Sequence, residues 1–397
     1  MSGVTPAVPV TTPAPTARLL SLTGMRWAAA LLVFCFHVTV ETGFFGEARD
    51  KETLARLFGG GASGVSFFFV LSGFVLTWSA RSHDSKVAFW RRRFARIYPS
   101  HFVMFLAAVA YLMWTGAELS GRVAAANLTL TQSWAVLGPD YWYGYNGVSW
   151  SLSVEFFFYF TFPFIVPVIV RMGVRGWWAI VVVCTGLVVA MPYLMEPVAE
   201  KTGIRELYFV YLCPPVRLLE FAVGIALALL VKSGRWHGPN MTLSSVVFLA
   251  GLLLNKTIAA ETSQWLVAGA AVGVIGCVLM IPAAARADIR GTASIWRHPR
   301  MVWLGEVSFC FYLVHELVLY STVYLFHGAP RLRTVQATAL MFACFSVALI
   351  LAVLVHELVE KPFVKRLSPK SKRRGRGSAV PPQGDRRGTE PLVGANG

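Results

Sequence analysis

Leu22-Thr-Gly-Met-Arg-Trp-Ala-Ala-Ala-Leu-Leu-Val-Phe-Cys-Phe-His-Val-Thr-Val-Glu41 decides the fold class. Before Glu41 closes this run only Arg26 and His37 are basic, and a helix needs about 20 mainly apolar residues to cross the hydrocarbon core of a bilayer. Similar runs lie near 64–81, 98–116, 149–170, 176–195, 207–231, 242–260, 264–285, 302–327 and 335–357. The 397 residues are 56% hydrophobic and 14% charged, with a mean hydropathy of +0.58. A soluble domain averages about 45–50% apolar and about 25% charged, so composition excludes one. The pattern predicts an all-α, polytopic membrane bundle of about ten transmembrane helices.

Loop charge orients it, because cytoplasmic loops are rich in Lys and Arg. With both termini cytoplasmic, 26 Lys and Arg fall inside and nine outside, with Arg217 within a helix. A plasma-membrane, multi-pass location follows. The segment 1–17 has no charged region ahead of an apolar core, so no cleavable signal peptide is predicted and the first apolar helix directs insertion. The chain divides into a disordered segment at 1–17, a membrane domain at 18–364 and a basic disordered tail at 365–397. Residues 361–397 hold ten Lys and Arg against Asp385 and Glu390, half of the net charge of +16. From Lys365 onward no aromatic residue interleaves with the charges, so the expected partner is anionic lipid and not nucleic acid. The six cysteines stand singly in apolar stretches and read as small hydrophobes.

Ionisable groups inside spans are costly and mark function by default. Eleven residues separate Arg26 from His37, which puts them about 16 Å apart along a helix and about 20° apart around it. One face therefore carries an anion-holding group at the cytoplasmic mouth and, at depth, either a base or a hydrogen-bonded packing histidine. In Phe89-Trp-Arg-Arg-Arg-Phe-Ala-Arg-Ile-Tyr-Pro99, Arg93 and Arg96 are helical neighbours. Guanidinium forks suit phosphate; Arg91 and Arg92 read equally as topology signals. In the run from Ser149 to Tyr159, residues Ser151, Glu155 and Tyr159 share a face. Glu155 is placed to orient His37, to accept from a hydroxyl substrate or to pair with another helix. Arg217 and Glu220 read as a structural pair, and Gly59, Gly60, Gly61 and Gly64 as close helix packing. A zinc-binding HExxH would need histidine at 319 or 360, where Leu319 and Glu360 stand, and no metal is expected.

Five segments in order resemble the membrane acyltransferase-3 family: Leu22–Arg26 with His37; Gly64–Gly73; Arg93–Pro99; Trp150–Glu155 through Tyr159; and Gly305–His315. The resemblance spans roughly 20–365. It implies transfer of an acyl group, such as acetyl or propionyl, from acyl-CoA to a hydroxyl of a sugar or glycosylated natural product. No permanently bound cofactor is implied. Carried over by motif, His37 resembles the catalytic histidine, with Glu155 as its acidic companion. Arg26, Arg93, Arg96 and Tyr98 match the acyl-CoA side; Trp150, Ser151, Tyr159, Tyr312 and His315 match substrate contacts. Phe309 and Cys310 depart from the expected Ser-Tyr pair. The high Ala, Gly, Val and Arg usage and compact layout are similar to macrolide-sugar acyltransferases. The rival reading is a proton-coupled transporter, which would call for Gly/Pro-broken helices in matching positions of two halves; the sequence has no such symmetry. Oligomeric state is not legible.

Overall fold

The computed structural model describes residues 18–80, 84–136, 138–258 and 262–367, without the side chains of 253–272. The helices are α1 (Leu20–Val40), α2 (Ala48–Phe58), α3 (Ser63–Ser79), α4 (Lys86–Thr115), α5 (Gly121–Leu128), α6 (Pro139–Trp142), α7 (Trp150–Arg171), α8 (Gly173–Thr202), α9 (Pro214–Lys232), α10 (Met241–Ile258), α11 (Thr262–Ile289), α12 (Pro299–Leu325), α13 (Thr334–Val355) and α14 (Lys361–Leu367). Among the described residues there is no strand, only an isolated bridge between Phe45 and Leu332.

Every apolar run anticipated in the sequence overlaps a helix among the described residues, the one at 207–231 being interrupted at Cys213. Eight helical stretches are long and apolar enough to cross a membrane among the described residues. The seventh and eighth anticipated runs fall on α10 and α11, where the described apolar part of α10 is the shorter stretch Met241–Leu252 and the first side chains of α11 lie outside the described residues. The segments 1–17 and 368–397, anticipated as a free N-terminus and basic tail, also lie outside them, and helix continues past 364 to Leu367.

One boundary moves in a way that matters. The third span was anticipated from 98, but α4 starts at Lys86, because Ser85 caps it by accepting from the Ala88 N–H at 3.2 Å. The arginine-rich segment is therefore the first turns of a long helix, and Arg93 and Arg96 do share its face.

α1 packs most extensively on α12, and α3 on α9. Both crossings depend on glycine. A methyl group on Gly305 would lie 1.8 Å from the Thr23 carbonyl oxygen of α1; one on Gly73 would lie 2.1 Å from the Phe221 oxygen, and one on Gly224 2.0 Å from the Val70 oxygen. Small residues that let backbones touch are the usual means of associating helices where lipid supplies no hydrophobic drive. Gly61 and Gly64 likewise abut α1, at Leu32 and Ala29, which supports the packing reading of the glycine run. Across the α3–α9 contact, Arg217 donates to Glu220 at 3.0 Å and to Ser66 at 3.3 Å, with both ionic groups buried. Phe69 and Tyr211 flank the guanidinium at 5.1 Å each. This is the local structural pair anticipated. All six cysteines are free.

Gly224→Leu should push α3 off α9 and cost roughly 1–3 kcal/mol, the usual toll of overpacking. A lowered unfolding midpoint in detergent is the result to look for, with a smaller drop for Ala228→Gly, which loses only about 0.5–1 kcal/mol of helix propensity.

Candidate active site

α1, α3, α4, α7 and α12 enclose a cavity of about 370 Å³, whose lining includes Arg26, Arg93, Arg96, Glu155 and Tyr159 near one end and Ser151, Phe68 and Tyr312 near the other. Along α3 the lining runs from Val65 to Ser79, about 21 Å at the rise of an α-helix. The three arginines come from two helices. Arg26 makes no side-chain hydrogen bond or ion pair among the described residues, and the charges of Arg96, Glu360 and Glu155 act on it. The Arg93 guanidinium lies 5.8 Å from the Phe89 ring and 5.9 Å from the Tyr159 ring, and its Nε is buried without a hydrogen-bond partner. Arg96 is 3.9 Å from Glu360.

Glu155 accepts from the Tyr159 hydroxyl at 2.5 Å and from Ser72 at 3.2 Å. Its i, i+4 relation to Tyr159 accounts for the first contact. The structure thus brings Glu155 to the arginines and not to His37, so it is placed to balance cationic charge in the cavity and not to orient an imidazole. Of the other residues singled out in the sequence, Ser151 and Tyr312 meet each other, oxygen to oxygen at 2.9 Å, and both line the cavity. Trp150 does not. It is buried against Tyr211, with ring centroids 4.8 Å apart, and against Phe69 at 6.2 Å. Tyr98 also lies outside the lining, stacked on Phe94 at 4.6 Å.

His37 lies beyond the Tyr312 end. Its Nδ1 is 3.0 Å from His315 Nε2, and the rings stack at 5.0 Å and 22°. Among the described residues this is the one hydrogen-bond partner of the His37 ring. Tyr312 and His315 are one turn apart on α12, with ring centroids 5.8 Å apart. On its other side the pair meets acid: one nitrogen of His37 and one oxygen each of Glu41 and Glu316 lie within 4.8 Å of one another. Glu316 accepts from the Val148 N–H at 2.7 Å, at the start of α7, where unpaired amides favour an anion. Tyr320 donates to Glu316 at 3.2 Å.

Several participants escaped sequence reasoning, among them Glu41 and Glu316 beside the histidine pair. Glu360 reaches Arg96 through a π-helical turn at His356–Glu360, where His356 Nδ1 lies 2.7 Å from Glu360 and Cys310 donates to the same oxygen at 3.3 Å. The available signal was a carboxylate following an apolar span, and the extra residue in the turn that aims it is a tertiary feature. Ser72 lies within the Gly64–Gly73 segment, where nothing in the spacing singled it out.

An acyltransferase domain family model matches residues 19–357. The chain belongs to the membrane acyltransferase-3 family. It is 38% identical over 366 residues to Acyltransferase MdmB of Streptomyces mycarofaciens, covering 88% of this chain and 92% of that protein. It is 27% identical over 373 residues to YrhL of Bacillus subtilis (strain 168), which is named provisionally as a peptidoglycan O-acetyltransferase; 86% of this chain and 54% of that one align. A Staphylococcus aureus (strain COL) protein, SACOL0978, named provisionally as an O-acetyltransferase, is 24% identical over 367 residues, with 87% and 57% aligned. The chain thus spans little more than half of these last two relatives. No solved structure matches significantly. The protein is a multi-pass membrane acyltransferase, which decides between enzyme and carrier.

Glu316→Leu should strand the buried Val148 amide and cost about 1–3 kcal/mol, whereas Glu316→Gln should keep an acceptor and cost less. Comparing the thermal midpoints of the two variants checks the anchor between α12 and α7.

Proposed function

We propose that this enzyme transfers an acyl group from acyl-CoA to a hydroxyl of a sugar or of a glycosylated natural product such as a macrolide. What carries the reading is the spatial order of the site: three guanidinium groups at one end of a cavity, two hydroxyls at the other, and a histidine pair behind them. The resemblance to Acyltransferase MdmB over nearly all of both chains supports acyl transfer.

On this reading Arg26, Arg93 and Arg96 hold the phosphates of CoA through charge-assisted hydrogen bonds, which are stronger than neutral ones. The cavity's length of about 21 Å along α3 suits an extended arm carrying the thioester towards Ser151 and Tyr312. The acceptor hydroxyl arrives from the side of Glu41 and Glu316. His37 takes the hydroxyl proton as the oxygen attacks the thioester carbonyl. The positive-inside charge count supports about ten spans in the plasma membrane, both termini cytoplasmic and the arginine mouth facing the cytoplasm. Acyl-CoA is a substrate here, and the reaction needs no resident cofactor or metal.

The test uses membranes bearing wild type or His37→Ala, radiolabelled acetyl-CoA and a panel of glycosylated acceptors. His37→Ala should lose at least 100-fold in transfer at equal expression; full transfer by the variant would sink the base assignment. Arg93→Lys and Arg96→Lys should each raise the donor KM about tenfold or more while leaving the acceptor KM within about twofold, because an ammonium cannot supply the guanidinium fork.

A further inference from the structure

His315 contributes to the site without lining the cavity. Its side chain is fully buried, walled by Phe311 at 6.0 Å and Phe34 at 6.1 Å between ring centroids. Its Nδ1 lies 2.8 Å from the Tyr312 carbonyl oxygen and 3.3 Å from that of Phe311. A carbonyl oxygen only accepts, so the hydrogen must sit on Nδ1. In a neutral imidazole the other nitrogen is then an acceptor, and that nitrogen, Nε2, is the one 3.0 Å from His37 Nδ1. The second bond can form only if His37 donates from Nδ1. The lone pair of the His37 ring is thereby confined to Nε2.

We propose that His315 is a positioning residue that imposes the Nδ1–H tautomer on His37, so that His37 Nε2 is the atom that receives the acceptor's proton. The proposal rests on the reading of His37 as the base. In the step it supports, the acceptor oxygen bonds to the thioester carbonyl carbon as its proton passes to His37 Nε2. The carbon–sulfur bond then breaks, and sulfur departs with the electron pair and takes that proton. His37 keeps its Nδ1–H bond to His315 throughout, and His315 ends as it began. The substrate contact that sequence motif assigned to His315 is replaced by an action through His37. Second-group orientation of a catalytic ring is a general device in proton-transfer sites.

Two measurements test this. ¹⁵N NMR of histidine-labelled wild-type protein in nanodiscs, assigned with His37→Asn and His315→Gln, should show both rings as neutral Nδ1–H tautomers. An Nε2–H tautomer at either ring would overturn the proposal. In kinetics, His315→Leu should lose about 100-fold or more in kcat with both KM values within about twofold. His315→Gln, which offers an amide oxygen near the position of Nε2, should recover to within about tenfold of wild type. A raised acceptor KM with unchanged kcat in His315→Leu would return this residue to direct substrate contact. Should His315→Leu fail to fold, the wild-type tautomers still decide. Loss of the base reading is separately visible, since His37→Ala would then retain transfer whatever His315 does.

Discussion

A guanidinium inside an apolar bundle persists only beside water, a carboxylate or both, and Arg26, Arg93 and Arg96 meet in one cavity. Two carboxylates answer them from different elements. Glu155 comes from α7 and is held by Tyr159 and Ser72. Glu360 comes from the π-helical turn after α13 and is held by His356 and Cys310. Neither carboxylate closes a tight ion pair with all three cations; the one salt bridge, Arg96 to Glu360, is 3.9 Å long. Two carboxylates against three guanidiniums leave the neighbourhood with an excess of positive charge that contacts do not consume. That is the state in which a cavity retains affinity for an anion, because a fully paired arginine would have to give up a partner first.

Holding such a cavity open requires a rigid frame. The glycine crossings provide it: Gly305 against Thr23, and Gly73 and Gly224 across α3 and α9, bring backbones so close that no side chain can intervene. The first ties α12 to the helix that carries Arg26 and His37. The second backs the helix that forms the cavity's long wall. At the opposite end, Asn146 donates to the Leu313 carbonyl at 3.0 Å and Val148 to Glu316 at 2.7 Å. These contacts bracket His315 and lock its turn of α12 to the start of α7. Register between the two helices therefore sets where the histidine ring sits.

The spans themselves were legible because apolar length in a membrane is a one-dimensional property. The pairing of Arg26 with His37 was legible for a similar reason, since both ride one unbroken helix and periodicity fixes their shared face. Arg93 and Arg96 followed from spacing alone. Residues whose role depends on a neighbour far along the chain were not. His37 and His315 are 278 positions apart, and Glu360 meets Arg96 only through a turn with irregular hydrogen bonding. Motif proximity misled at Trp150 and Tyr98, because consecutive helical residues point in different directions. Ser151 faces the cavity while Trp150, one residue earlier, is turned 100° away into Phe69 and Tyr211. For Glu155 the helix face was legible but the choice among its open roles was not: on that face it meets Tyr159 and, from another helix, Ser72.

The separation between cavity and histidine pair explains the spacing on α1. Tyr312 lines the cavity beside Phe68, ring centroids 6.1 Å apart, and opposite Ser151, and His315 follows one helical turn farther along α12. A group that binds an anion and a group that accepts a proton have conflicting electrostatic needs, since a cation beside an imidazole opposes its protonation. Eleven residues of α1 put about 16 Å between them, while the carboxylates Glu41 and Glu316 stand on the histidine side. The same helix thus spans a cationic end and an acidic end, with two hydroxyls, Ser151 and Tyr312, between them. An acyl group delivered from the first end and a hydroxyl from the second would meet at those hydroxyls, where neither substrate has to displace the other.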